Sequence, residues 1–485
     1  MNTLSAPALP DNKPQKWWVM FGVGLGVLMA TLDTSIVNIS LPTLVQELHT
    51  DFATVQWVVV SYVLVLTSLM LSAGRIGDLF GKKRLYMGGL SLFSLASLLC
   101  GLAPSVGWLI AFRALQGLGA AGCQALGAAI ITEVFPASER GRAMGVIGGI
   151  VSVGIALGPP LGGVLIAVAG WPSIFLVNVP IGLIALVTVS RTVPALARPS
   201  DGQRFDLAGA AFLFFTLAAY ALGMTAGQNW GFADFRIAAL LLAAAVGLGI
   251  FITWQAKAAQ PLLFLGLFRN LLLSLNLVMG CLAFIVVASF FIMPFFLQLV
   301  LGYSTAEMGL LIMVVPLLMG VIAPLAGSLS DRLGARGISL AGLLIMAGGC
   351  LALSTVHADM GWAGYMLRAV PIGVGLGLFQ APNNSAILGS VKREDLGITG
   401  GLLALSRTLG HTTGIPLIGV LFTTLVLNFA GLAVMSDPAL VPASALVAGV
   451  RGTFRITAMI SLLAAGLSLA ALIIDRRVRK GVQDR

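Results

Sequence analysis

The chain has 485 residues, 58% of them hydrophobic and only 9% charged, with a mean hydropathy of +1.01 and a formal charge of +10. A soluble protein carries roughly 25% charged residues, so this composition excludes a set of water-facing globular domains and leaves a polytopic membrane protein. Its apolar stretches are long and continuous and do not alternate every second residue, which selects helices over a barrel in a solvent that tolerates no unpaired backbone.

At about 20 apolar residues per crossing, the sequence predicts fourteen helices in chain order: 16–38, 54–74, 84–103, 107–134, 143–168, 171–190, 207–227, 235–255, 271–298, 306–328, 337–356, 361–389, 398–428 and 452–474. The first run is longer than a signal-peptide core and lacks a clear small-residue cleavage site, so it is read as helix 1. Between 429 and 451 an alternative count merges or drops a span, because Pro438 and Pro442 break a moderately apolar stretch. With fourteen helices, most of the 28 basic residues fall on one side, in the N-terminus, the loops after even-numbered helices and the tail. The positive-inside bias then places both termini in the cytoplasm. Topology thus accounts for the charge, and no nucleic-acid partner is called for. Cys100, Cys123, Cys281 and Cys350 each sit inside apolar runs, with no disulfide framework or metal-ligand spacing. No cofactor, metal site or catalytic constellation is read from the chain.

An internal repeat organises the helices. Gly74, Asp78 and Gly81 return as Gly327, Asp331 and Gly334, each 253 positions further on, and Arg113, Glu139, Gly154 and Gly158 are followed by Arg368, Glu394, Gly410 and Gly414 at nearly the same offset. The landmarks occupy helices 2 to 5 and 10 to 13. The simplest partition is a cytoplasmic segment 1–15, a six-helix half 16–190, a linker with two inserted helices 191–270, a second six-helix half 271–474 and a cytoplasmic tail 475–485. Parallel halves around a central site are one of the transporter architectures, although channels also use repeats.

Several motifs carry a family resemblance. Gly74-x-x-x-Asp78-x-x-Gly81-Lys82-Lys83-Arg84 resembles the helix 2–3 signature of the major facilitator superfamily, and Leu109 to Ala121, with Arg113, Gln116, Gly117 and Gly119, resembles its helix 4 motif. Gly154-x-x-x-Gly158-Pro159-x-x-Gly162-Gly163 is similar to the helix 5 antiporter motif. Leu32 to Asn38 with Leu41-Pro42, and Trp171 through Asn178 to Gly182, are similar to the fourteen-helix drug:proton antiporter branch. The resemblance implies an all-α major facilitator fold. It also implies a helix 5 that faces the other half and seals the site against proton leak, and a proton-coupled, multidrug-efflux type of activity.

The residue chemistry gives these motifs physical content. Asp78, set among Arg75, Lys82, Lys83 and Arg84, can lock a loop to neighbouring helix ends through charge-assisted hydrogen bonds, or it can be a surface ion pair worth under about 1 kcal/mol. Asp331 with Arg332 and Arg336 repeats the arrangement. Gly154, Gly158, Gly162 and Gly163 form a small-residue stripe for close helix approach, and Pro159 and Pro160 remove amide donors and bend the helix. Asp33 is the most informative acid, about 25 Å along helix 1 from Trp17, at a depth comparable to Arg113. Buried charges in hydrocarbon are costly unless paired or hydrated. Two readings stay open: an Asp33–Arg113 contact that changes with state and couples to protons, and a permanent ion pair.

Helix 13 adds Arg407 and His411, spaced i,i+4, where the first half has Val151 and Ile155. His411 is read as a possible partner in proton traffic or a packing residue, and Arg407 as a counter-charge or a substrate contact. An apolar cavity with a few polar fixing groups is expected from Trp57, Tyr62, Gln116, Asn178, Phe290, Phe291, Gln298, Gln380, Asn383 and Asn384. The expected partners are the lipid bilayer, protons and a small hydrophobic or cationic substrate, with a monomer favoured and a bacterial inner membrane as the setting. No phosphate-binding Gly-x-x-x-x-Gly-Lys-Ser/Thr loop occurs. The leading expectation is secondary efflux of hydrophobic, often cationic drugs or dyes in exchange for protons. The alternatives are export of one endogenous lipid, metabolite or siderophore and, less favoured, a facilitative uniporter.

Overall fold

The computed structural model describes residues 13–50, 52–194, 205–431 and 441–483. Parts of the sequence-derived N-terminal segment, linker and tail, and the Pro159 side chain, lie outside the described residues. Every regular element among the described residues is helical. Fourteen helices are long and apolar enough to cross a membrane: α1 (Lys13–Glu47), α2 (Phe52–Phe80), α3 (Lys82–Gly101), α4 (Val106–Val134), α5 (Arg140–Ala169), α6 (Ser173–Thr192), α7 (Leu207–Trp230), α8 (Phe235–Lys257), α9 (Leu271–Val300), α10 (Glu307–Leu333), α11 (Ala335–Leu353), α12 (Trp362–Gly389), α13 (Leu396–Ala430) and α14 (Ala443–Gln483).

Three helices are less regular than the sequence predicts, and the mildest case is α6, interrupted at Val177 between Ser173–Leu176 and Asn178–Thr192. In α9 the α-helix ends at Ala288, passes through a 3₁₀ stretch at Ser289–Ile292 and finishes in a π turn at Phe296–Val300. Pro294 has no N–H, so the Phe290 carbonyl loses its helical donor and the ladder shifts register. In α10, a capping box of Ser304 and Glu307 starts the helix, and a break falls at Met313 ahead of Pro316, whose missing N–H leaves the Ile312 carbonyl without its partner.

The halves are built alike. In α1–α6, α2 and α3 pack on α4, and α1 packs on α5 and α6; in α9–α14, α10 and α11 pack on α12, and α9 packs on α13 and α14. The principal contacts between halves are α2 with α13 and α5 with α10. Since the repeat maps α2 onto α10 and α5 onto α13, these are one contact occurring twice, as a two-fold relation between parallel halves requires. The inserted α7 and α8 pack on each other, and α7 leans against α2 and α13.

Glycine makes both contacts possible. A Cβ on Gly145 would strike the Ala323 carbonyl, one on Gly327 the Gly141 carbonyl, and one on Gly74 the Gly397 carbonyl. Helix backbones therefore touch directly, as small-residue stripes allow. The turns that enter α3 and α11 use Gly81 at φ 103° and Gly334 at φ 88°, a left-handed region that L side chains avoid.

Candidate functional site

The first cluster lies wholly within the first half. The Arg113 guanidinium of α4 donates to Asp33 Oδ2 of α1 at 2.6 Å and to the Val58 carbonyl of α2 at 3.0 Å. Asp33 Oδ1 accepts from Gln116 Nε2 at 2.9 Å and from Asn178 Nδ2 of α6 at 3.0 Å, and Gln116 also donates to Ser97 Oγ of α3 at 2.7 Å and accepts from Arg113. Tyr62 covers the guanidinium with its ring at 4.2 Å, and Phe175 lies at 5.7 Å. Asp33, Tyr62, Gln116 and Asn178 are fully buried and Arg113 is 1% exposed. Three of the residues expected along a substrate cavity, Tyr62, Gln116 and Asn178, are thus partners of the Asp33–Arg113 pair. Taking Arg113 away would leave a buried carboxylate without its counter-charge, a loss of about 3–5 kcal/mol.

The second cluster joins the halves at the end that carries the basic loops. Asp78 of α2 accepts from Gly397 N at 2.8 Å and Ile398 N at 2.7 Å, the first amides of α13, with Lys82 Nζ at 3.1 Å. Asp331 of α10 accepts from Gly141 N at 2.8 Å and Arg142 N at 3.0 Å, the first turn of α5. Each carboxylate therefore captures a helix start in the opposite half, where unpaired amides and the helix dipole favour an anion. Lys82 also pairs with Glu133 of α4 at 3.4 Å.

The remaining basic residues of these loops act elsewhere. Lys83 donates to the Ser190 carbonyl of α6 at 2.8 Å, and Arg336 pairs with Asp475 of α14 at 3.0 Å, so these equivalent positions tie helices within their own halves. Arg75 lines a cavity of about 690 Å³ beside Asp78, together with Leu262, Asn270, Lys392 and Asp395. Arg84 and Arg332 are exposed.

Next to this cavity, Asp206 at the start of α7 gathers donors from Gly209 N at 2.8 Å, Gln255 Nε2 at 2.8 Å, Trp254 Nε1 at 3.1 Å and Leu262 N at 3.4 Å. Partial burial pushes the Asp206 carboxyl up, but the donors, Gly209 N and Gln255 foremost, outweigh it and hold the group below the usual carboxylate range.

The antiporter-motif glycines pack within their own half, although α5 itself meets the second half. Gly154 lies against Leu28 and Thr31, Gly158 against Ser35, and Gly162 against Ile36, all on α1, while Gly163 faces open space. The face of α5 that meets the second half is built by Gly141, Gly145 and Gly149. Their four-residue spacing was present in the sequence as a signal. The equivalent stripe in α13 behaves like the motif: Gly410 packs on Cys281 and Phe284, and Gly414 on Ile285 and Ala288, all of α9. α-Helical structure continues through Pro159 and Pro160.

The third group lies in the second half. The Arg407 guanidinium sits over the Phe284 ring at 5.8 Å, and the His411 ring meets the same phenyl edge-on at 5.1 Å. Gln380 and Asn384 of α12 are buried, and Asn383 donates to the Asn276 carbonyl at 3.3 Å. Phe290 packs against Phe454 of α14 and Phe291 against Phe295, Gln298 is partly buried in the π turn, and Trp57 is 46% exposed near the start of α2. Ser97 and Phe284 had no sequence signal that separated them from neighbouring packing residues, whereas Glu133 was visible as an acid near the end of an apolar run.

Two repeated helical halves, each holding a helix start of the other, are the architecture of an integral membrane transporter. The family model of the Major Facilitator Superfamily matches residues 23–415, and the chain belongs to that superfamily. It is 34% identical over 401 residues to the riboflavin transporter RibZ of Clostridioides difficile, covering 82% of this chain and 87% of that protein. It is 32% identical over 411 residues to the tetracenomycin C resistance and export protein of Streptomyces glaucescens, covering 84% and 76%. Among solved structures, the human organic anion transporter MFSD10 superposes with a TM-score of 0.65 at 15% identity, over 95% of this chain and 100% of that one. That likeness speaks for the fold.

Proposed function

We propose that the chain exports hydrophobic compounds in exchange for protons by alternating access, from the cytoplasm across a bacterial inner membrane and with both termini cytoplasmic. The observation that carries the reading is Asp33, a fully buried carboxylate held by Arg113, Gln116 and Asn178 from α4 and α6. An ion pair at this depth is stable only while its geometry is kept. A rearrangement of α1 against α4 that separates Arg113 from Asp33 leaves a buried carboxylate without its counter-charge, and in this reading proton uptake accompanies that step and proton release accompanies the return of the contact. In this reading the Asp78 and Asp331 contacts hold the cytoplasmic end shut while the opposite end is open, and their release lets the halves rock. Relatives named for the export of a drug support efflux of hydrophobic guests, and the relative named for riboflavin supports the narrower alternative of one metabolite.

The test is reconstitution in liposomes under an imposed pH gradient, following the cation ethidium and, in parallel, the anion anthracene-9-carboxylate. Gradient-driven movement of either by wild type, abolished in Asp33→Asn with probe binding retained, supports proton coupling at Asp33. Equal gradient-driven transport by wild type and Asp33→Asn refutes the assignment. Flux that persists without any proton gradient makes the protein a uniporter.

A further inference from the structure

Several cations inside the bundle have acidic partners, and among the described residues the half-buried Arg407 is without one. Arg113 has Asp33, Lys82 has Asp78 and Glu133, Lys16 has Glu139 and Arg336 has Asp475. Among the described residues, no carboxylate lies within ion-pair distance of Arg407. Nor can one arrive by a modest movement from the described acids of the second half, because Glu307, Asp331, Asp359, Glu394, Asp395 and Asp475 lie at helix ends and in loops. Asp33 in the first half is already engaged by three donors.

Along α13, Arg407 lies between a stretch that packs on the first half at Gly400 and one that packs on α9 at Gly410 and Gly414. It shares a face of α13 with Gly400 and His411, at spacings of i+7 and i+11, and Gly400 packs on Ala125 of α4 in the first half. The equivalent residue of α5 is Val151, which packs against core residues of both halves. The fold therefore does not need a cation at this position.

A second unpartnered polar group stands close by. Gln380 is 2% exposed, yet neither its Nε2 nor its Oε1 has a hydrogen-bond partner. It is directed toward Gly148 of α5, across the contact between the halves. At 1.5 Å per residue, Gln380 lies about 14 Å and Arg407 about 17 Å from the basic-loop ends of α12 and α13, so they share a depth. Gly280 of α9 approaches both Ser406 and Asn383, which brings the Arg407 and Gln380 neighbourhoods together around one helix.

We propose that Arg407, Gln380 and the Phe284 ring form the recognition point for a carboxylate on an aromatic substrate. The guanidinium presents a planar fork that matches a carboxylate with two parallel hydrogen bonds. The Gln380 amide can donate a further one, and Phe284 supplies an apolar face for the adjoining ring. The anion missing from the protein is then brought by the guest, and simple organic cations are disfavoured because nothing near Arg407 offsets its charge. This rests on the transport reading above and narrows its substrate class.

The test measures equilibrium binding of three fluorescent probes that share one ring system, anthracene-9-carboxylate, 9-anthracenemethanol and 9-(aminomethyl)anthracene, to the purified full-length protein in detergent. Wild type is expected to bind the carboxylate at least about tenfold more tightly than the alcohol, the gain expected of a charge-assisted bidentate contact, and the amine most weakly. Arg407→Gln is expected to erase the preference, Arg407→Lys to keep part of it, and Gln380→Leu to reduce it. A wild-type melting temperature and elution volume in detergent report that each variant is folded. Preference for the amine, no preference, no binding of the carboxylate, or a preference that survives Arg407→Gln overturns the proposal. Failure of proton coupling would appear elsewhere, as loss of gradient-driven movement while the carboxylate preference in binding persists.

Discussion

Replacing Asp78 by Asn removes one of the two latches between the halves, and its cost follows from the geometry. Asp78 holds Gly397 N at 2.8 Å and Ile398 N at 2.7 Å with Lys82 at 3.1 Å. Asparagine keeps one acceptor oxygen and loses the charge. A hydrogen bond to a charged group contributes about 1.5–3 kcal/mol, so the closed arrangement of the basic-loop end should lose roughly 2–3 kcal/mol, a shift of about 30- to 150-fold in the closed-to-open ratio. Spin labels at exposed Phe80 on α2 and exposed Lys392 in the loop before α13 straddle this contact. Pulsed electron–electron resonance in proteoliposomes should show a short distance in wild type and a resolved longer component in Asp78→Asn. Asp331→Asn, acting on Gly141 and Arg142 at the other contact, should do the same, and the double variant should open further because the two sites share no partner. A distance distribution unchanged by either substitution would refute the latch.

Further outcomes follow from the packing and the turns. Gly145→Leu should abolish transport and open the basic-loop end, since any side chain there meets the Ala323 and Pro324 backbone, whereas Gly163→Leu, facing open space, should leave both unchanged. Gly81→Ala at φ 103° should lower thermal stability by about 1–3 kcal/mol, read as a reduced melting temperature. Because the folded-state carboxyl of Asp206 titrates below its ordinary value, its contribution to stability is full above that ordinary value and is lost as the pH falls through the lowered one. An environment-sensitive fluorophore at Ala258→Cys should therefore report loosening of the segment after α8 only at acid pH in wild type, and at neutral pH in Asp206→Asn. A pH response identical in the two would show that the donors around Asp206 do not hold that segment.

The sequence by itself determined the solvent, the number of crossings and the repeat. Each is written in the local pattern: a membrane helix must satisfy its own backbone and present about 20 apolar residues, so its existence needs no knowledge of its neighbours. It also singled out Asp33 and Arg113, because an intramembrane charge is conspicuous against hydrocarbon. Which neighbours a residue meets was another matter. Gly154 and Gly145 lie nine positions apart on one helix, yet the first packs on α1 and the second on α10, a difference fixed by how the halves cross and not by composition. Gln116 and Asn178 look like cavity residues along their own helices and become donors to Asp33 only when α4 and α6 converge on α1. Arg407 shows the same limit from the other side. Its charge is plain in the chain, but the absence of an acid around it, among the described residues, is a property of three helices brought together. A helix crossing is encoded within about 20 residues, whereas the partners of its side chains are set by contacts that span hundreds, and only the assembled bundle decides those.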